Sequence, residues 1–319
     1  MFKSMVRTAA PMVLLAVVVG LHATPAQAQL ARTFVSAANG NDVNDCNRLT
    51  PCRTFQAAHD KTFEQGEITV LDPGGYGAIT ITKAISIVND GVGEAGISVS
   101  GGAYGIFVAA PAMASVNLRG LTVQGIGFGG GIGLHFRRGA ALTITNCVFR
   151  NHTNDAIDAR PETAAKLSIS NTLVADNELN GIVVVNSGSN TPLRVTLHRV
   201  HAVNNAFRGI HIHGRDGTGG ALDVTVSDSV SANNGTGFNV ESQPGAVPTS
   251  LTVIRSVVAN NRGRGIEVED SPTTSVRIGR STITGNGTAW RGSSVRSFGD
   301  NILAGNESGD PAPPSIAMK

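Results

Sequence analysis

The chain has 319 residues, a formal net charge of +2, 39 glycines and only 4% aromatic residues. So little ring surface argues against a conventional globular core of this size. The near-neutral balance gives no whole-protein attraction to a polyanion, which argues against nucleic acid as a partner.

In chain order, residues 1–28 read as an export signal. Lys3 and Arg7 form a basic start, PMVLLAVVVGLHA (11–23) an apolar stretch, and Ala26-Gln27-Ala28 a cleavage site. Removing this segment leaves 23 basic residues (25 less Lys3 and Arg7) against 23 acidic ones. A product released into the periplasm or outside the cell is expected, with no membrane contact after processing. Residues 29–66 read as a cap. Its loop DCNRLTPC holds Cys46 and Cys52, which an oxidising compartment would join in a short disulfide. The stretch TFQAAHDKTF (54–63) predicts a short amphipathic helix that plugs the first coil. Cys147, within LTITNCVF, reads as a small buried thiol.

Residues 67–304 repeat. VNLRGLTV, LTITNCVFRN, LSISNTLVADN, VTLHRVHAVNN, VTVSDSVSANN, LTVIRSVVANN and VRIGRSTITGN align on Leu118, Ile144, Ile169, Leu197, Val226, Val253 and Ile278. The spacings are 26, 25, 28, 29, 27 and 25 residues, and each piece alternates with period two. One turn of a parallel β-helix, three short strands joined by turns, fits that length. Asn151, Asn177, Asn204, Asn233, Asn260 and Asn286 recur within a residue of register. They predict left-handed turns whose amides bond from coil to coil. Residues 305–319 form a tail whose prolines discourage further strand pairing.

The segments FVSAANGNDVNDCNRLTPCRTFQAAHDKT, GEITVLDPGGYGAITITKAISIVNDG and SFGDNILAGN together resemble secreted bacterial right-handed parallel β-helix repeat proteins of the pectin-lyase-like fold. The resemblance implies an all-β solenoid of about nine coils with a short N-terminal helical cap. It does not fix the activity, because that fold carries lyases, hydrolases, adhesins and proteins of no known activity. A polygalacturonase-like site would need GDD, GHG and RIK motifs; this sequence has Asn154-Asp155 and His213-Gly214 but none of the three.

Aligning the Gly-apolar strands GIGLHF, AIDAR, GIVVV, GIHIH, GFNVE and GIEVE predicts two outward columns. One is Gly133, Asp158, Val183, His211, Asn239, Glu267; the other is His135, Arg160, Val185, His213, Glu241, Glu269. In the second half they make a polar patch with Asp270 at its edge. His211, His213 and Glu241 have the donor set for Zn²⁺, and Glu241, Glu267, Glu269 and Asp270 that for Ca²⁺. Two of the carboxylates could act as acid and base on a glycoside. The plainer reading is a solvated face with a His213–Glu241 cross-strand pair, and His198 and His201 read as separate surface residues. Arg208 and Arg264, with Arg262 close by, could grip an acidic sugar or pair with local acids.

These residues favour a monomeric, non-catalytic β-helix that presents a rigid surface to cell-wall or extracellular polysaccharide. It would use no cofactor and no resident metal, with Ca²⁺ the one ion to consider. The competing function is a polysaccharide lyase or glycoside hydrolase acting on acidic glycans. Glu241, Glu267, Glu269 and His211 would then be catalytic, with Asn239, His213, Arg208 and Arg264 holding substrate.

Overall fold

The computed structural model describes residues 30–125, 129–187, 192–214, 219–269 and 271–317. The expected export signal (1–28) and Asp270 lie outside the described residues. What is described is a parallel β-helix. Apart from the helix Phe55–Lys61, its regular elements are strands, gathered in a 19-stranded and a nine-stranded sheet. Every strand pairing within them is parallel, between residues one coil apart, as in Leu142↔Leu167, Ile144↔Ile169, Val224↔Leu251 and Val226↔Val253. Like side chains therefore stack on like. The interior is a column of Ile, Val and Leu in which Phe55, Tyr76, Phe136, Phe149 and Phe238 are the fully buried rings. From Ser115 to Arg291 seven coils carry all three walls. The two turns before them are less regular, with strands as short as Gly74–Gly75 and Ile79–Ile81, so the expected count of about nine includes these.

Two corners hold each coil in register. At the first, a residue in the left-handed region (Asn146, Asn171, Arg199, Asp228, Arg255, Arg280) turns the chain. After Asn171, Asp228, Arg255 and Arg280 the next side chain accepts from the coil before it. Ser229 Oγ accepts from Val200 N at 3.1 Å, Ser256 Oγ from Ser229 N at 3.2 Å, and Ser281 Oγ from Ser256 N at 3.2 Å.

The second corner splits the expected asparagine column into two adjacent ones. Asn151, Asp176, Asn204, Asn233 and Asn260 are exposed and left-handed, with φ between 55° and 59°. The residue after each (His152, Asn177, Asn205, Asn234 and Asn261, then Asn286 and Asn306) is buried. Here the amides form a ladder. Asn177 Nδ2 donates to Asn205 Oδ1 at 2.7 Å, Asn205 to Asn234 at 2.9 Å, Asn234 to Asn261 at 3.1 Å, Asn261 to Asn286 at 2.8 Å and Asn286 to Asn306 at 2.9 Å. Each Oδ1 from Asn234 onward also accepts the backbone N–H of the preceding rung, and Asp310 closes the last rung. The ladder also dictates the glycines. A Cβ on Gly209 or Gly237 would lie 2.6 or 2.8 Å from the Nδ2 of Asn234 or Asn261.

Both ends are covered. Thr54 caps the N-terminal helix by accepting from Ala57 N, and the helix packs on the strands Leu30–Val35, Thr62–Val70 and Ile79–Ile81. Cys46 and Cys52 form the expected disulfide, and burial pushes the Cys147 thiol up to about 11. The C-terminal tail, expected only to discourage pairing, itself closes the last coil. Ser315 bridges Ser297, and Trp290 Nε1 donates to Pro311 O at 2.7 Å. No helix among the described residues is long and apolar enough to cross a membrane.

Two outcomes follow. Asn234→Ala strands buried donors and acceptors on both neighbouring rungs and is expected to cost about 3 kcal/mol. Asn233→Gly, one residue away at an exposed left-handed turn, is expected to stay within about 0.5 kcal/mol. Urea unfolding compares them, and equal costs would contradict the ladder. His152 is fully buried, with Nδ1 unpartnered among the described residues, and burial pushes its imidazole down to about 4. The native state therefore binds this proton less readily than the unfolded chain. Stability is expected to fall, by at most about 3 kcal/mol, as pH drops from about 6.5 towards 4. Unfolding midpoints across that window for the native chain and His152→Gln check this, and the variant should lose that slope.

Candidate functional site

The nine-stranded wall carries the site. Its register sets one outward column as Thr80, Phe107, His135, Asp158, Val183, His211, Asn239, Glu267 and Arg291. The second half agrees with the sequence alignment, but the Ile132–Arg138 strand does not. His135, not Gly133, pairs with Asp158. Gly131-Ile132 and Gly133-Leu134 both offer a Gly-apolar start, and a slip of two residues keeps every side chain on the same face. Only the three-dimensional stacking selects the second.

Ile210 and Ile212 are fully buried inside, which turns His211 and His213 outward. Outward here does not mean solvated, contrary to the plainer expectation. His211, Asn239 and Glu241 are 7%, 2% and 8% exposed. Val183 and Val185 are buried as well, although they stand outside the interior cluster.

Glu241 is the hub. Arg208 Nη2 donates to its Oε1 at 2.8 Å; His211 Nε2 lies 3.3 Å from the same oxygen, and His213 Nδ1 3.8 Å from Oε2. The predicted His213–Glu241 neighbours are thus present, with Arg208 as the closer partner. The Glu241 carboxyl is pushed down to about 2. The adjacent His211 imidazole contributes most, burial opposes it, and the charges of Arg208 and His213 add to the lowering. One ring nitrogen from each histidine and a Glu241 oxygen lie within 4.8 Å of one another. His211 Nε2, Asn239 Oδ1 and Ser242 Oγ are buried and lack hydrogen-bond partners among the described residues.

The remaining expected residues sit around this hub. Arg264 Nη1 pairs with Glu267 at 2.6 Å, so both Arg208 and Arg264 are engaged by acids. Arg262 and Glu269 are exposed; Glu267 and Glu269, with Trp290 and Arg291, line an open depression. His198 lies on a different wall beside Asp228 and Ser227.

Sequence reasoning missed the other end of the wall. Tyr104, Phe107 and His135 stack, with ring centroids 5.1–5.5 Å apart and the Phe107 and His135 planes 4° from parallel. Next along, the buried Asp158 accepts from His135 Nδ1 at 2.9 Å and Arg160 Nε at 2.6 Å. Extending the column back to GIFV (105–108) would have revealed the rings.

The right handed beta helix region model matches residues 133–307, more than half of the chain. The chain belongs to the right-handed β-helix family. Among solved structures, the pectate lyase Pel9A is similar at 18% identity and TM-score 0.63, covering 88% of this chain and 74% of that one. A rhamnogalacturonan lyase is similar at 14% identity and TM-score 0.50, covering 80% of this chain and 74% of its own. At these identities the likeness is one of fold. No curated protein sequence matches the chain.

Removing Asp158 would leave His135 and Arg160 beside a buried gap in charge. Asp158→Ala is expected to cost about 2 kcal/mol, below a fully buried pair because Arg160 can rehydrate. Urea unfolding measures it, and a neutral result would show that the cluster does not hold the wall.

Proposed function

We propose that this β-helix binds polysaccharide along the outer face of its nine-stranded wall, without cleaving it. The observation that carries this reading is the order of groups on that face. Stacked rings at Tyr104, Phe107 and His135 stand at one end of the face, and beyond the coil of Val183 and Val185 its solvent-reachable polar groups are Glu267, Glu269 and Arg291, with Arg160 beside the rings. Rings suit the apolar faces of sugars and polar groups suit their hydroxyls, so the column matches a chain laid along the helix axis. The rigid scaffold adds no ordering cost when such a chain docks. The fold-level neighbours, a pectate lyase and a rhamnogalacturonan lyase, point to the same class of ligand. Export to the periplasm or beyond fits the Cys46–Cys52 disulfide.

A lyase or hydrolase acting from Glu241, Glu267, Glu269 and His211 is the second reading, favoured by those neighbours and by the buried carboxylate. The electrostatics weigh against it. A carboxyl held near 2 stays ionised, so it cannot donate a proton near neutrality and is a weak base. Glu267 is tied to Arg264.

Calorimetric titration with pectate, rhamnogalacturonan and a neutral glucan tests the proposal. Saturable binding to at least one is expected, weakened about five- to tenfold by Tyr104→Ala and by Phe107→Ala. Binding to none, or binding indifferent to both variants, would sink it. Release of unsaturated or reducing ends that disappears in Glu241→Gln or Glu269→Gln would establish the enzyme instead.

A further inference from the structure

We propose that His211, His213 and Glu241 form a binding site for a divalent transition metal of the zinc type. The inference is independent of the polysaccharide reading. Residues i and i+2 of one strand share a face, so the strand Arg208–His213 sets both imidazoles on the outside, their ring centroids 5.5 Å apart. Glu241 stands beside His213 on the next coil by ladder register. Two imidazoles and a carboxylate are a donor set for zinc, which leaves a fourth tetrahedral position for water or a ligand.

The distances fit with little adjustment. Ligands about 2.1 Å from a tetrahedral metal lie about 3.4 Å from one another. The His211–Glu241 separation is already 3.3 Å, and the three donor atoms span no more than 4.8 Å. His211 Nε2 is buried and its 3.3 Å contact with Glu241 is not aligned as a hydrogen bond. Asn239, paired with His211 in the ladder, brings a second buried atom, Oδ1, that lacks a donor among the described residues and could accept from a metal-bound water. Arg208 is the opposing charge. It occupies Oε1 of Glu241, while Oε2 faces the His213 ring at 3.8 Å. Calcium, which needs six or more oxygens, does not suit this set.

The test uses the full exported chain, stripped with a chelator and titrated with ZnCl₂ or CoCl₂ against a chromophoric competitor. One equivalent is expected to bind, with intense visible Co²⁺ bands of tetrahedral type and no competition from Ca²⁺. His211→Ala and His213→Ala should each weaken binding about 100-fold or more, whereas His201→Ala, exposed on another wall, should not. X-ray absorption of the zinc-loaded native chain gives an answer that does not depend on the variants folding, and two imidazole ligands are expected. Failure of the native chain to bind either metal, fewer than two imidazoles, or binding retained in both histidine variants would overturn the proposal.

Discussion

The amide ladder at the second corner is the constraint on which the rest depends. Each buried asparagine from Asn234 to Asn286 donates to the next rung and accepts both a backbone N–H and an amide from the one before. A buried amide without partners would cost a few kcal/mol, so a coil can join the stack only in the register that fills every rung. The same crowding excludes a Cβ at Gly181, Gly209, Gly237 and Gly265, where the third wall begins. From that fixed start, alternation decides which side chains enter the core and which leave it.

The site inherits its geometry from this arrangement. Because Gly209 starts the strand beside the ladder, Ile210 and Ile212 enter the core and His211 and His213 cannot. Placed outward, they are still shielded, and so is Glu241. In that shielded setting charges count for more than on an open surface, which is why one carboxylate gathers an arginine and two histidines. Between Asp158 and Arg291 the acids of the wall are paired with bases, Asp158 with His135 and Arg160, Glu241 with Arg208 and Glu267 with Arg264.

Much of this was legible in the sequence. The 25- to 29-residue period and the β-branched alternation named the fold, and the strands at 181, 209, 237 and 265 aligned well enough to pair His213 with Glu241. The failures have physical causes. A two-residue slip at 131–136 preserves sidedness, so alternation could not detect it. The single asparagine column expected at the turn became two because adjacent Asn-Asn pairs divide the work, one taking the left-handed turn and the other the buried bond.

The sequence by itself determined the periodicity, the inward Ile, Val and Leu, and the outward sense of His211, His213 and Glu241, because sidedness in a strand is a local, alternating property. Only the tertiary structure decided that these outward residues are buried, that Arg208 reaches Glu241, and that Tyr104, Phe107 and His135 stack in adjacent coils. Burial and pairing depend on neighbours 23 to 33 residues away in the chain, which the winding brings together and local pattern does not encode.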